Sequence, residues 1–324
     1  PLPYAMTNCH NSLCAVGGTI NEDDHVFGLS AAKKYGGIYV PANQAVIHQY
    51  AREMMVKCGN MILGSDSHTR YGSLGNMGVG EGGGELVKQL LKNTWDINAP
   101  EVVLVWLEGA PKKGVGPHDV AISLVKATFE SGVVKNKVLE FAGPGVKNLP
   151  IDFRNGIDIM TTETTCLSSI WITDDEVKHH YEIHERPQDY RELKPGDVAY
   201  YDMMIRIDLS TQESMIALPF HPSNAVTIHE LQADPVGILT RIEEDAKKRF
   251  GDKVDVHLVD KVVDGKVQAD QGIIAGCSGG TYDNLAEAAA ILKGKNIGND
   301  YFTASAYPQS TPVSMAVTRE GITA

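Results

Sequence analysis

The chain has 324 residues, 43% of them hydrophobic and 22% charged, which is enough for two or three folded domains. Its formal net charge of −12 repels phosphate backbones, and the densest basic stretch, residues 247–249, is interpreted as an exposed helix end. Apolar runs are shorter than the roughly 18–20 residues of a membrane helix, and the N-terminus lacks a secretory-signal pattern. We therefore expect neither a nucleic-acid nor a membrane partner.

The five cysteines are an odd, scattered set without a C-x-x-C pair, namely Cys9, Cys14, Cys58, Cys166 and Cys277. Such spacing does not predict a disulfide framework. It indicates a reducing compartment, and we expect a cytoplasmic protein. The first residue is not Met, which suggests that the chain begins inside a longer gene product.

Short apolar strands alternate with amphipathic helices along most of the chain, which predicts an α/β fold. In chain order, helices are predicted near 41–55, 85–92, 118–129, 151–163, 235–250 and 282–293. Strands are predicted at 61–63, 101–106, 137–141, 167–171, 205–209, 215–218 and 272–275, with a strand pair around the turn at 264–265. Loop-like stretches at 107–116 and 219–224 suggest three parts, 1–108, 109–230 and 231–324.

Reactive side chains follow the predicted strand at 61–63, where ligands commonly bind in α/β sheets. Asp66 and His68 lie two residues apart with Ser67 between them. A carboxylate beside an imidazole can fix the tautomer of the ring and raise its basicity, as acid–base chemistry requires. Alternatively, Asp66 and Ser67 only form an Asx-type turn. The spacing alone does not choose between these interpretations.

The glycines that follow include a formal G-x-G-x-x-G match at residues 78–83. The match does not directly follow a strand, and it carries Glu81 where a pyrophosphate would lie. We therefore prefer tight packing of the loop backbone over dinucleotide binding as the reason for these glycines.

Cys277 follows the predicted strand at 272–275 and precedes a helix whose predicted N-cap is Thr281. Backbone N–H groups and the helix dipole at such a position stabilise a thiolate, so we expect Cys277 to be more acidic than an ordinary thiol. We also expect it to be the first cysteine that iodoacetamide modifies. The alternative is a small residue in a tight turn. The other four cysteines are interpreted as buried structural thiols.

Two groups of histidines invite functional interpretations that we do not adopt. His180 and His184 lie at i, i+4 beside His179, but many acidic residues surround them, so we interpret them as part of a solvated helix face rather than a zinc site. His221, in the sequence Pro-Phe-His-Pro, is interpreted as a linker residue.

Several segments together resemble the aconitase superfamily, which includes isopropylmalate and homoaconitate dehydratases. Residues 64–69 (Gly-Ser-Asp-Ser-His-Thr) and the following glycines are similar to its signature loop, and residues 47–49 (Ile-His-Gln) match the preceding histidine. Residues 274–282 are similar to the loop with the first cluster cysteine, and residues 160–165 to the segment with an active-site glutamate. The resemblance implies three-layer α/β/α subdomains and a hydro-lyase that dehydrates and rehydrates a di- or tricarboxylic hydroxy acid.

The resemblance also implies a 4Fe–4S cluster held by three cysteines, with one open iron that acts as a Lewis acid on the substrate. Cys277 would be the first thiolate ligand of that cluster. The partner would be a small carboxylate substrate, and Ser67 would donate a hydrogen bond to one of its carboxylates.

The implied catalytic residues are His10, His48, Asp66, His68 and Glu163. Asp66, paired with His48, would handle the hydroxyl or water that leaves or enters, with His68 and Glu163 close by. His10 occupies the position at which the family protonates the leaving hydroxyl. Because these segments end strands of one α/β fold, we expect His48, Asp66, His68, Glu163 and Cys277 to meet in one cleft.

The sequence also departs from the family pattern. Cys9 replaces an aspartate that normally orients the histidine at position 10, Ile159 replaces an asparagine near the cluster, and residues 278–280 read Ser-Gly-Gly instead of Thr-Asn-Ser. The chain ends at Ala324, before the usual C-x-x-C motif and the mobile C-terminal domain that completes the site. We therefore expect an N-terminal fragment of a divergent hydratase, inactive and without a cluster by itself.

A second hypothesis is a binding paralogue, which keeps the fold, lacks the cluster and binds a small carboxylate or a partner protein without turnover. The RNA-binding role of some aconitase relatives is disfavoured by the net charge of −12. The sequence beyond residue 324 would separate the first two hypotheses.

Overall fold

The computed structural model describes residues 4–9, 19–92, 94–298 and 302–323. The fold is mixed α/β with several parallel strand pairs, which confirms the predicted class. The first part contains β1 (Thr7–Cys9), α1 (Thr19–Tyr35), β2 (Ile38–Val40), α2 (Ile47–Met54), β3 (Met61–Gly64), β4 (Met77–Gly80) and α3 (Gly83–Lys92). β1 pairs with β2 and β3 pairs with β4, both in parallel.

A four-stranded parallel sheet in the order β7–β6–β5–β8 forms the middle of the chain. Its elements are β5 (Val102–Glu108), α4 (Pro117–Thr128), β6 (Val138–Ala142), α5 (Ile151–Met160), β7 (Ser168–Trp171), α6 (Asp175–Ile183) and β8 (Met203–Asp208). Apolar residues of these strands pack against α4 and α5 in the largest core cluster, where the rings of Phe141 and Trp171 stack 4.2 Å apart. Burial of this apolar surface holds the middle part together.

From Met215 onward, short strands alternate with helices, the longest of which is Pro235–Phe250. They are β9 (Met215–Ala217), β10 (Ala225–Thr227), α7 (Ile228–Ala233), α8 (Pro235–Phe250), β11 (Val262–Val263), β12 (Lys266–Val267), β13 (Gln271–Ile274), α9 (Gly276–Gly279), α10 (Tyr282–Leu292), β14 (Thr303–Ala306) and α11 (Thr311–Arg319). β9 and β10 form an antiparallel hairpin, and β13 pairs with β14 in parallel. The side chains of Asp234, Thr281 and Ser310 accept hydrogen bonds from the first turns of α8, α10 and α11.

Most predicted elements are present, with differences of a few residues at their ends. The helix expected from residue 41 begins at Ile47, and the helix expected up to 163 ends at Met160 and continues as a 3₁₀ turn over Thr161–Thr164. The predicted boundary at 108 lies at the end of β5, which pairs with β6 and β8 beyond that boundary. A division placed before β5 would keep the sheet in one part, and the three-part organisation stays a prediction.

Two close backbone approaches shape the loop after β3. A Cβ atom on Gly80 would lie 2.2 Å from the Asp66 carbonyl oxygen, and one on Gly72 would lie 2.2 Å from the Ser169 carbonyl oxygen. Only glycine fits these positions without displacing backbone, as expected from the packing interpretation of this loop. The close approaches bring the loop beside β4 and β7. Within the described ranges, none of the helices is both long and apolar enough to cross a bilayer.

Candidate active site

His48 lies in the first turn of α2 and is buried. Chain segments from the other end of the protein hold the start of this helix, because the N–H of Val46 donates to the Gln309 carbonyl and Ala45 forms a bridge with Ser310. The Nε2 atom of His48 is 3.0 Å from Oδ1 of Asp66, and its Nδ1 atom is 3.1 Å from the Tyr71 hydroxyl. Burial lowers the pKa of His48, so the ring is neutral near pH 7.

Asp66 follows β3 at the carboxyl end of the strand, as predicted. Its Oδ1 atom accepts hydrogen bonds from Nε2 of His48 and from the backbone N–H of His68, the latter at 2.8 Å. The second bond makes an Asx turn, as the structural interpretation of this loop expected, and the acid–base role of Asp66 and His68 stays a prediction. The hydrogen bond from His48 holds the pKa of Asp66 well below its usual range, with a further contribution from His68. The side chain remains 54% exposed, so this carboxylate can meet a ligand.

His68 lies between two carboxylates. Its Nδ1 is 3.6 Å from Oδ1 of Asp66 and its Nε2 is 3.3 Å from Oε1 of Glu163, which belongs to the 3₁₀ turn after α5. The contact with Asp66, followed by the contact with Glu163, raises the pKa of His68 to about 9. The same pairing with His68 lowers the pKa of Glu163. Near pH 7, His68 is therefore an imidazolium and both carboxylates are ionised.

Ser67 connects the loop to the turn that carries Glu163. Its hydroxyl is 3.3 Å from Nδ1 of His68, and its backbone carbonyl accepts a 2.8 Å hydrogen bond from the Thr162 hydroxyl. The side chain is exposed at the mouth of the site. The β3 loop and the Glu163 turn are thus fixed to each other by a backbone contact as well as by His68.

The structure adds two residues that the sequence analysis did not select. Tyr71 donates its buried hydroxyl to His48, and burial raises the pKa of this tyrosine. His221 lies in the connecting turn between β9 and β10, and its Nε2 atom is 3.8 Å from Oε2 of Glu163, a contact that its interpretation as a linker residue did not include. The closeness of Tyr71 to the loop in sequence could have suggested it. No local pattern points to His221.

Cys277 reaches this group through α2. The backbone carbonyl of Cys277 accepts a 3.4 Å hydrogen bond from Nη1 of Arg52, which lies one helical turn after His48. Both the charge of Arg52 and that of Asp66 influence the thiol. The structure therefore brings His48, Asp66, His68 and Glu163 into direct contact, with Cys277 beside them.

The expected acidity of Cys277 is wrong, since burial raises the pKa of its thiol. Cys277 lies within α9, a helix of only four residues, and α10 begins five positions later behind its N-cap Thr281. A helix this short supplies little dipole, so the loss of hydration dominates. Cys58 and Cys166 are buried, as predicted.

His10 and Cys14 lie outside the described residues, so the proposed role of His10 has no structural test here. The neighbouring Cys9 donates its thiol to the Ala45 carbonyl at 3.3 Å, and burial raises its pKa to about 11. Cys9 thus lies next to the start of α2 and close to the site, but its thiol is protonated near pH 7.

The interpretation of the α6 histidines as a solvated face is wrong for one of them. His179 is exposed, whereas His180 is buried and its Nε2 atom contacts the Arg52 carbonyl at 3.3 Å. Burial lowers the pKa of His180 to about 3, so it is a neutral core residue. Among the described residues, no set of three or more His, Cys, Asp and Glu side chains is arranged to hold a metal ion.

The chemistry of the site follows from its charges. A neutral His48 and an imidazolium on His68 both donate toward Asp66, and Glu163 holds the second nitrogen of His68. The arrangement supplies a proton donor and an accessible carboxylate side by side, which acid–base chemistry requires. The excess of donors toward Asp66 also keeps this carboxylate ionised.

Comparison with known proteins identifies the family. A profile described as the aconitase family (aconitate hydratase) matches residues 9–324. The chain belongs to the aconitase family. The family match agrees with the resemblance of the loop at 64–69 and of the segment around Cys277.

Individual relatives are similar at modest identity. The 3-isopropylmalate dehydratase large subunit of Elusimicrobium minutum is 27% identical over 293 residues, covering 90% of this chain and 62% of that protein. Large subunit 2 of Archaeoglobus fulgidus is 27% identical over 277 residues, covering 85% and 58%. The mitochondrial aconitate hydratase of Schizosaccharomyces pombe is 27% identical over 313 residues, covering 93% and 36%. The chain thus spans about three-fifths of these dehydratase subunits and about a third of this hydratase.

Aconitase-family proteins generally bind a 4Fe–4S cluster. Among the described cysteines, Cys277 and Cys9 lie near the contact chain from His48 to Glu163, whereas Cys58 donates to the Leu74 carbonyl and Cys166 to the Thr161 carbonyl in the cores. The resemblance assigns a cluster thiolate only to Cys277. These residues offer one of the three thiolates that such a cluster needs and do not hold it by themselves. Since a mitochondrial form is among the relatives, a cytoplasmic location also stays a prediction.

Proposed function

We propose that the protein to which this chain belongs is a hydro-lyase that removes water from, and adds it to, a small di- or tricarboxylic hydroxy acid. The observation that supports this function is the continuous contact chain from His48 through Asp66 and His68 to Glu163. The names of the relatives, dehydratases and hydratases, describe the same class of reaction.

Within this proposal, Asp66 and His48 hold the hydroxyl or water at the reacting carbon, and His68 carries a proton that Glu163 keeps in place. Ser67, exposed at the mouth of the site, donates to a substrate carboxylate, and His10 protonates the leaving hydroxyl. Cys277 supplies one thiolate to a cluster whose other ligands come from outside the described residues. The part of the protein that these relatives have and this chain does not span would complete the site.

The test is an assay of the whole protein, reconstituted anaerobically with iron and sulfide, against a series of hydroxy di- and tricarboxylates. Formation of the unsaturated acid is followed by its ultraviolet absorbance. Asp66→Asn should lower kcat by at least about 10²-fold, the usual contribution of a positioned acid–base group. Asp255→Asn is the matched control, because Asp255 also lies two residues before a histidine but is 89% exposed, and it should leave the rate unchanged.

The same protein separates the two hypotheses. Binding of a dicarboxylate without turnover, by whole protein that retains no cluster after reconstitution, would support the binding paralogue instead of the hydro-lyase. For residues 1–324 alone, we expect a colourless protein that retains no cluster after reconstitution, because Cys277 is one thiol of the three required. Stable broad visible absorbance with about four irons per chain would contradict this expectation.

A further inference from the structure

Each oxygen of the Glu163 carboxylate faces a different imidazole. Oε1 is 3.3 Å from Nε2 of His68, and Oε2 is 3.8 Å from Nε2 of His221. His221 arrives from the turn between β9 and β10, about 60 residues further along the chain, so this contact joins two segments that are distant in sequence. The second oxygen of Glu163 therefore has a specific neighbour that the contact chain from His48 does not include.

The hydrogen bonds of His221 fix its tautomer. The backbone N–H of Ser223 donates to Nδ1 of His221 at 3.1 Å, and the Ser223 hydroxyl lies 3.0 Å from the same atom. An atom that accepts a backbone N–H cannot also carry the proton of a neutral ring. The proton of neutral His221 is therefore on Nε2, the atom that faces Glu163.

The surrounding turn fixes the position of the ring. The imidazole stacks on Phe129 with centroids 3.7 Å apart and planes 25° apart. The N–H of Asn224 donates to the His221 carbonyl, and the N–H of Leu218 to the Asn224 carbonyl, which closes the turn. Phe220, directly before His221, has φ of 91°, a left-handed conformation that bulky residues rarely adopt. Such strain persists where the surrounding contacts over-determine the backbone.

We propose that His221 is a positioning residue for Glu163. The Nε2–H group of His221 holds the second carboxylate oxygen of Glu163, so that the first oxygen stays on His68. The distance of 3.8 Å between Nε2 of His221 and Oε2 of Glu163 exceeds hydrogen-bond length. A side-chain rotation that moves either atom by about 1 Å brings the two within that length. Contacts of this kind commonly tighten when a ligand occupies the site. This role of His221 rests on the proposed function, in which Glu163 and His68 act together in the site.

Two substitutions separate the donor from the ring. His221→Gln keeps an N–H donor at nearly the position of Nε2, whereas His221→Leu keeps an apolar side chain against Phe129 and removes the donor. The readout is the titration of His68, followed by NMR of histidine-labelled protein and assigned with His68→Gln. We expect the midpoint of His68 to stay near 9 in the wild type and in His221→Gln. In His221→Leu it should fall by about one pH unit, because Glu163 is free to turn away.

The outcomes that overturn the proposal are specific. An unchanged His68 midpoint in both variants shows that His221 only packs on Phe129. Equal falls in both variants, with unfolding midpoints unchanged, show that stacking rather than donation matters. The titration needs no turnover, so a failure here is distinguishable from failure of the hydro-lyase assay.

A measurement on the unsubstituted chain keeps the test independent of how the variants fold. Long-range ¹H–¹⁵N spectra at a pH where His221 is neutral should show Nε2 protonated and Nδ1 bare. A proton on Nδ1 would place the bare nitrogen toward Glu163 and overturn the proposal.

Discussion

The Nε2 atom of His48 lies 3.0 Å from Oδ1 of Asp66, and the two residues come from a helix and a strand end 18 positions apart. Since Asp66 is ionised, His48 donates through Nε2, and its Nδ1 must accept the Tyr71 hydroxyl. A buried tyrosine thus sets the tautomer of the histidine that orients Asp66. Three groups act as one hydrogen-bonded unit.

We predict that Tyr71→Phe destabilises the protein by about 1–3 kcal/mol, because it leaves a buried nitrogen of His48 without a donor. It should also release His48 to exchange tautomers, which histidine ¹⁵N spectra would show. Tyr181→Phe is the control, since Tyr181 is equally buried in the same cluster but donates to the Leu74 carbonyl. Loss of stability is expected in both variants and a change at His48 only in the first. A changed His48 spectrum in Tyr181→Phe would contradict this.

Because the pKa of His68 is raised, we predict that the stability of the folded protein depends on pH. The value in the folded protein is about 9, against 6.5 for the unperturbed side chain. Folding therefore gains stability from protonated His68 that is complete below about pH 6.5 and is lost as the pH rises through about 9. Urea unfolding of the wild type and of His68→Gln should converge over this window as the pH rises.

His179→Gln is the control for that comparison, because the His179 side chain is 70% exposed on α6 and contacts no residue of the site. Its free energy of unfolding should track the wild type across the window. If the difference between wild type and His68→Gln is the same at both ends of the window, His68 is not held between the two carboxylates in solution.

The sequence predicted the local elements of the site better than their energetics. The strand before Asp66, the loop glycines and the position of Glu163 follow from short-range patterns and from the family resemblance. The predicted acidity of Cys277 was wrong because the burial of its side chain cannot be read from the local sequence. Burial raises the pKa of this thiol. His180 was misjudged for the same reason, since acidic neighbours in sequence do not reveal that its ring faces α2.

Contacts between residues that are far apart in the chain also could not be predicted from the sequence. His221 meets Glu163 only because a hairpin turn packs its ring on Phe129, and no periodicity records this approach. Helix α1 was missed because its apolar side chains do not form one buried stripe, as the exposure of Ile20, Val26 and Phe27 shows. Strand β14, with the sequence Thr-Ala-Ser-Ala, has one β-branched residue, Thr303, and no aromatic residue, so it does not show the composition that marks strands.

Two buried arginines offer a contrast in hydrogen bonding. Arg154 donates to both oxygens of Asp174 and to the Leu149 carbonyl, whereas Nε and Nη2 of Arg52 have no partner among the described residues. We predict that Arg154→Met costs about 3–5 kcal/mol, because it removes the cation from the Asp174 carboxylate, and that Arg52→Met costs about 1 kcal/mol or less. Denaturant unfolding of both variants measures the difference. Equal losses would mean that Arg52 is fully paired in solution.

The last prediction concerns the glycine that lets the Asp66 loop close. A Cβ on Gly80 would lie 2.2 Å from the Asp66 carbonyl oxygen and 2.8 Å from Cα of Ser67. Both atoms are backbone, so Gly80→Ala must displace the loop, at a cost of about 1–3 kcal/mol. The displacement moves Asp66 away from His48, so we also expect the His48 ¹⁵N resonances to shift.

Gly84→Ala is the matched control, because Gly84 lies in α3 and a Cβ there would meet nothing within 4 Å. Alanine favours a helix over glycine, so this variant should gain up to about 1 kcal/mol. Opposite signs for the two substitutions, with a His48 shift only in Gly80→Ala, would show that packing against Asp66 is the reason for Gly80. A Gly80→Ala variant as stable as the wild type, with unchanged His48 resonances, would show that the loop tolerates a Cβ and that this packing does not position Asp66.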